Sequence, residues 1–251
     1  MSSSVVGMGV RAFDGQFAVV TGASSGIGRA VADALAAQGA GVALVGRDTE
    51  RLEVAKKAVE ALGARAEIHS CDLSDDVQLR RLLETFTQAH ERIDVLVHAA
   101  GIIYAAPVAL ATLADFDQQY RVNVRAPFVV TQGLLPLLTH AHGQVVFVNS
   151  SVGLRGKENV SIYAGTKHAL KAFADSLRME VNPLGVRVLS VYAGTTATPM
   201  QRTLHEAGST PYVPEALLQP ADIAASILQS LLLPRTAEIT DLHIRPMTKP
   251  F

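Results

Sequence analysis

The chain of 251 residues has no tryptophan, a single cysteine and aromatic side chains at only 5% of its positions. One cysteine, Cys71, excludes an internal disulfide and any metal site built from several thiolates. Its place at the end of an expected strand suits a buried structural thiol. An excess of one charge sign is missing too: 22 Lys and Arg stand against 23 Asp and Glu, and no basic run occurs. A nucleic-acid or anionic-membrane surface is not built that way. No stretch approaches the roughly 18 uninterrupted apolar residues of a membrane span. The opening "MSSSVVGMGVRAFDG" lacks the basic start and sustained apolar core of a signal peptide. The expectation is a soluble, cytoplasmic protein with no nucleic-acid or membrane partner. What abounds is apolar: 49% hydrophobic against 18% charged residues fits a large packed core and excludes a disordered chain.

Apolar runs alternate with helical periodicity along the chain. Strands are expected at 16–22, 41–47, 64–73, 93–101, 143–151 and 186–194, with a last one at 237–244. Between them, helical patterns run over 27–39, 48–63, 74–90, 163–182 and 220–233. A long helical region at about 112–139 contains Pro127 and Pro136, so a kink or break is expected there. Strands that are apolar throughout, separated by helices of ten or more residues, imply a parallel sheet covered on both faces. Right-handed crossovers then give one doubly wound α/β domain over 1–251, a Rossmann-type sheet of about seven strands ordered 3-2-1-4-5-6-7. Residues 1–14 read as an N-terminal extension, and about 195–218, rich in Gly, Pro and polar residues without strong periodicity, as a lid.

The first strand runs into "TGASSGIG", which sets Gly22, Gly26 and Gly28 at the turn into the first helix. The spacing G-x-x-x-G-x-G departs from G-x-G-x-x-G but meets the same need. The chain must turn sharply, let backbone approach a pyrophosphate and aim a helix N-terminus at negative charge. Ser24 and Ser25 add hydroxyl donors, with Ile27 in the first turn. The second strand ends "LVGRD", placing Gly46 where a carboxylate would bond the 2′-hydroxyl of NAD. Arg47 follows and is suited to grip a 2′-phosphate, while Asp48 or Thr49 caps the next helix. The pattern favours NADP(H) over NAD(H).

Tyr163 and Lys167 lie four apart at the start of a helix, hence one turn apart on one face. Taken alone, such a pair is either two snorkelling surface side chains or a tyrosine whose proton affinity a neighbouring ammonium lowers.

With these parts in order, the chain resembles the short-chain dehydrogenase/reductase family over nearly its whole length. The landmarks are "TGASSGIG" from Thr21, "CDL" from Cys71, "HAAG" from His98, "NVRAPF" from Asn123, "NSS" from Asn149, "YAGTK" from Tyr163 and "AGTTAT" from Ala193. The resemblance implies a catalytic set of Asn123, Ser150, Tyr163 and Lys167, with no metal. Tyr163 would protonate a carbonyl oxygen in reduction, and its phenolate would act as base in oxidation. A tyrosine ordinarily titrates near pH ~10, and the Lys167 ammonium and the oxidised nicotinamide are expected to lower Tyr163 by about three units, roughly 4 kcal/mol. Lys167 would also bond the nicotinamide ribose, Asn123 would position a relay water, and the serine would donate to the substrate oxygen. Ser150, 13 residues before Tyr163, and Ser151, 12 before, both fit the serine; Ser150 aligns without a gap. Asp72 and Leu73 would hold the adenine edge, the Ala99–Gly101 turn would run beside the ribose, and Thr198, after Gly194, would reach the carboxamide. Two residues depart from the family pattern. His98 replaces an asparagine that ties neighbouring strands, and Ala193 replaces a proline, which is expected to loosen the turn before Gly194.

The implied activity is reversible reduction of a ketone or aldehyde to an alcohol, by a homodimer or homotetramer assembled through the helices near 112–139 and 163–181. Substrate choice is expected in the lid, where Met200, Leu204, Tyr212 and Val213 are apolar and His205 is available to a polar or acidic group, and in "GLRGKENV" before Tyr163, where Arg155 is available to the same groups. The competing readings are a catalytically silent NADP(H)-binding regulator, which an intact catalytic set disfavours, and a Rossmann-like transferase, which has no use for Y-x-x-x-K beside a serine.

Overall fold

The computed structural model describes residues 11–248. Most of the expected N-terminal extension lies outside the described residues. Its end does not: Phe13 is buried and its amide donates to the Gln38 carbonyl at 2.9 Å, so the packed body begins before residue 14.

Seven parallel strands form one sheet: β1 (Phe17–Thr21), β2 (Gly41–Gly46), β3 (Ala66–Ser70), β4 (Val95–His98), β5 (Gln144–Ser150), β6 (Arg187–Ala193) and β7 (Asp241–Ile244). Their order is β3-β2-β1-β4-β5-β6-β7, as expected. The inner strands bury both faces because their residues are apolar at both parities. Val20, Val42 and Leu44 pack under α1 (Gly26–Ala37), α2 (Thr49–Ala61) and α8 (Pro220–Leu231). Val19, Val45 and Leu96 pack under α3 (Asp76–Ala89), α5 (Ala126–Ala141) and α6 (Ser161–Val181). Strand order reverses between β1 and β4, which opens a crevice at the carboxyl ends of the strands. Among the described residues no helix is long and apolar enough to cross a membrane.

The expected break at 112–139 is present, and two details differ from the expectation. The region at 112–139 is two helices, α4 (Leu113–Tyr120) and α5, joined by a π-helical turn at Arg121–Arg125. Pro127 has no N–H for the carbonyl of Asn123 four residues before it, so the regular ladder fails at this turn. Pro136 breaks nothing; it lies on the exposed side of α5, where water can satisfy the carbonyl left without a donor. The lid contains a helix, α7 (Pro199–Ala207), started by the Thr198 hydroxyl accepting from the Gln201 amide and by Pro199 at its first position. Nine residues with apolar anchors at Met200 and Leu204 are too few to register as a period. The lid is also tied at its base, where Ala197 donates to Leu218 at 2.8 Å and Leu218 to Thr195 at 3.1 Å.

At the turn into α1, glycine is required by the chain's approach to itself. A Cβ on Gly28 would stand 2.4 Å from the Gly22 carbonyl oxygen, and one on Gly22 (φ +69°) would stand 2.7 Å from the Ala100 amide. Gly28→Ala is therefore expected to destabilise the protein by about 1–3 kcal/mol. A thermal melt should show a midpoint several degrees lower; an unchanged midpoint would mean that the turn relaxes freely.

Candidate active site

The crevice is a cleft of 1390 Å³. It exceeds the roughly 300–1,000 Å³ of a pocket for one drug-sized ligand, so it has room for two molecules side by side. The structure brings almost all of the sequence-named residues to its wall. Gly22, Ser24, Ser25 and Ile27 line it from the first turn, Arg47, Asp72 and Leu73 from the ends of β2 and β3, and Ala99 and Gly101 from the end of β4. Ser150, Tyr163 and Lys167 line it from β5 and α6, and Gly194 and Thr198 from beyond β6. Asn123 lies behind the wall, fully buried.

One end of the cleft is shaped for phosphate. The N-cap of α1, Ser25, makes no side-chain bond to the helix and the first turn carries no acidic residue, so the leading amides have no carboxylate or hydroxyl cap. Gly46 keeps the strand end open: a Cβ there would stand 3.4 Å from Leu52 and 3.5 Å from the Ser24 hydroxyl. Arg47 is exposed beside this space. Asp48 is occupied, since its carboxylate caps α2 by accepting from the Arg51 amide at 3.0 Å and pairs with the Arg51 guanidinium at 3.1 Å. Arg51 also lines the cleft, a second cation that sequence reasoning passed over. Asp72 shapes its own turn, its carboxylate accepting from the amide and the hydroxyl of Ser74. Cys71 is buried, and burial with the nearby Asp72 and Asp75 pushes its thiol up to about 11, as suits a structural residue.

The other end holds the titratable pair. Lys167 is 4% exposed, its Nζ donating to the Val148 carbonyl at 2.9 Å and standing 5.7 Å from the centre of the Tyr163 ring. Burial pushes Lys167 down to about 8. Tyr163 moves the opposite way from the expectation. Burial pushes the phenol up to about 12, and a bond with the Ser150 hydroxyl pulls only weakly against it. The expected lowering counted the Lys167 charge and the oxidised nicotinamide; the protein's own groups add the desolvation of the phenolate, which outweighs Lys167. Of the two serines, Ser150 is the one that meets the phenol; Ser151 is exposed and opens a 3₁₀ turn.

Polar residues behind the wall hold this pair in place. The Asn123 amide nitrogen donates to the Ile102 carbonyl at 2.8 Å and to the Thr166 hydroxyl at 3.1 Å, and its oxygen accepts from the Ile102 amide at 2.8 Å. The Thr166 hydroxyl donates to the Tyr163 carbonyl at 2.7 Å. Asn149 donates to the Lys167 carbonyl at 3.1 Å and accepts from the Ser150 amide at 2.8 Å. Thr166 and Asn149 were not singled out from the sequence. A wholly buried threonine within Y-x-x-x-K and an amide ending an apolar strand were the available signals.

The departures resolve as follows. His98 bonds the Thr131 hydroxyl on α5 at 2.8 Å and stacks on Phe147 at 4.9 Å, so it ties strand to helix and not strand to strand. Burial drives the imidazole down to about 3, so it stays neutral. The turn after Ala193 is not loosened. Gly194 donates to Ile244 at 2.7 Å, and the Thr196 hydroxyl donates to the Gly194 carbonyl at 2.9 Å. In the lid, Met200, Leu204, His205 and Val213 line the cleft and Tyr212 does not; neither does Arg155, in the segment before Tyr163.

An open parallel sheet with a glycine turn at its switch point, and a half-buried tyrosine beside a buried lysine across the crevice, defines a Rossmann-type protein with titratable groups at the strand ends. A family model described as short chain dehydrogenase matches residues 16–208, and the chain belongs to that family of oxidoreductases. It is 30% identical over 232 residues to an oxidoreductase of Staphylococcus saprophyticus, covering 92% of this chain and 97% of the relative. It is 32% identical over 241 residues to the glycine betaine reductase of Emericella nidulans, with 94% of this chain matched to 19% of that much longer protein. Among solved structures it resembles an alcohol dehydrogenase of the archaeon Thermococcus sibiricus, complexed with 5-hydroxy-NADP. The TM-score is 0.84 at 28% identity, over 94% of this chain and 99% of the other.

Proposed function

We propose that the chain is an NADP(H)-dependent oxidoreductase that interconverts a ketone or aldehyde and its alcohol, with Tyr163 as the acid and base. The observation that carries this reading is the meeting of Ser150, Tyr163 and Lys167 on one wall of a cleft whose other end is an uncapped helix N-terminus beside Arg47. When bound, NADPH supplies the hydride and NADP⁺ accepts it. The Tyr163 phenol, protonated throughout the neutral range, donates its proton to the carbonyl oxygen, and the Ser150 hydroxyl steadies the charge that develops there. Lys167 holds positive charge beside the phenolate that remains and bonds ribose hydroxyls. Asn123 and Lys167 both approach Gly101, where a Cβ would stand 3.4 Å from the amide oxygen of one and 3.9 Å from Nζ of the other, and a water positioned by Asn123 would return the proton to Lys167. In the oxidative direction the same groups run in reverse.

NADP(H) is favoured by the open strand end at Gly46, by Arg47 and by the capping of Asp48, and the archaeal relative's complex with 5-hydroxy-NADP agrees. Asp72 and Leu73 border the adenine, Ala99 and Gly101 the ribose, and Gly194 and Thr198 the nicotinamide. Assembly into a homodimer or homotetramer belongs to the same proposal; Leu113, Phe116 and Phe128 stand exposed on α4 and α5. Titration with NADPH and NADH, followed by nicotinamide fluorescence, tests the cofactor. NADPH is expected to bind more tightly, and Arg47→Asp to weaken it about tenfold or more through loss of a charge-assisted bond. Preference for NADH would overturn the cofactor assignment, and binding of neither would overturn the whole reading.

A further inference from the structure

His205 and Gln201 are the polar side chains that α7 turns to the cleft, and the tautomer of His205 is fixed by its own lid. Nδ1 lies 2.7 Å from the Pro211 carbonyl oxygen. A carbonyl only accepts, so Nδ1 must carry the hydrogen; in the neutral ring Nε2 is then a bare acceptor. The ring lies edge-on to Tyr212, with centroids 5.6 Å apart, and a flip would lose the bond to the Pro211 carbonyl. Among the described residues Nε2 has no hydrogen-bond partner, and His205 lines the cleft. Around it Gln201 and Thr210 are polar, and aliphatic side chains make up much of the remaining wall. Met200 and Leu204 stand one turn apart on α7, with Val213 beyond them and Ile103 and Val152 from other loops. The charges at the mouth cancel in sequence: Lys157 and Glu158 are neighbours and both exposed.

We propose that this cleft selects an uncharged carbonyl compound or alcohol with an aliphatic body and a second, hydroxyl group placed to donate to Nε2 of His205. The inference rests on the oxidoreductase reading and names its substrate class. A half-exposed acceptor beside apolar side chains gains strength toward a donor when the ligand's aliphatic body covers it from water. It is left unpaired by an alkyl chain, and it faces lone pair against lone pair with a carboxylate. Met200 gives the wall some adaptability to chain shape.

The test uses three matched series of 2-ketones, five to ten carbons long, ending in methyl, hydroxyl or carboxylate. Their binding to the full-length protein saturated with NADP⁺ is measured calorimetrically at about pH 8, above the range in which imidazoles ordinarily protonate. At the best-fitting length the hydroxy ketone is expected to bind about ten- to a hundredfold more tightly than the other two, the range of one buried hydrogen bond. His205→Phe should erase that margin, and His205→Gln, which keeps an acceptor, should restore part of it. Equal or tighter binding of the methyl or carboxylate series, an unchanged order in His205→Phe, or no binding by any series would overturn the proposal. Turnover with NADPH is read separately. Selective binding of the hydroxy ketone without NADPH oxidation would count against the oxidoreductase reading and leave the selectivity standing.

Discussion

Replacing Tyr163 with phenylalanine is expected to lower turnover by about 10²–10⁴-fold, the usual share of a positioned general acid, while NADPH binding stays nearly unchanged. The substitution removes one oxygen and little else. The bonds that hold α6 in register at this point use the Tyr163 carbonyl, through Thr166 and Asn123, and no atom of its ring. The lost contact is the one with the Ser150 hydroxyl, which stays free to accept from the Val152 amide. With the phenol pushed up to about 12, reduction should show no loss assignable to Tyr163 at any pH below that value. Oxidation needs the phenolate, and its rate should rise with pH. Single-turnover kinetics with NADPH and a reducible ketone, on both forms at matched saturation, check this. Undiminished turnover in the variant would assign the proton to another donor. A native protein that binds NADPH yet reduces no ketone or aldehyde would favour a silent regulator.

The inner architecture was legible because its residues leave little choice. "FAVVT", "GVALVG" and "QVVFVNS" are apolar at both parities, a pattern that only a strand covered on both faces satisfies. The edge strands were read too long. β3 was expected over 64–73 and spans Ala66–Ser70, and β7 was expected over 237–244 and spans Asp241–Ile244. Both are only half-buried, and nothing in their composition marks where pairing stops. Long-range partners were equally out of reach. That His98 bonds Thr131, 33 residues on, follows from how α5 crosses the sheet and from no local pattern. Motif spacing located the site residues but said little of their energetics. Charge counting predicts a lowered Tyr163; burial, which needs the three-dimensional wall, reverses the sign.

The same burial acts on the lysine, and Lys167→Met is expected to make the protein more stable while abolishing its turnover. An ammonium whose pKa falls from 10.5 to about 8 is opposed by its surroundings by about 3 kcal/mol at neutral pH. Methionine has similar length and no charge to desolvate. Against this gain, the Val148 carbonyl loses the donor it has at 2.9 Å, a loss of about 1–3 kcal/mol. The net expectation is a gain of up to about 2 kcal/mol, or a few degrees in the melting midpoint of a chain this size. The pH dependence separates this cause from ordinary repacking. Between about 8 and 10.5 an unfolded lysine still holds a proton that the folded one has released. The unfolded state then binds more protons, so the native protein gains stability as pH rises through that window. The variant lacks this group, so its advantage should be full at pH ~7 and shrink by pH ~9.5. Thermal melts at those two values keep clear of Tyr163, whose raised pKa matters only at higher pH. A variant less stable at neutral pH, with a gap that does not change on going alkaline, would mean that the ammonium is well solvated or paired where it sits. A more stable, inactive variant would mean that the fold tolerates a buried charge because the chemistry at Tyr163 requires one beside it.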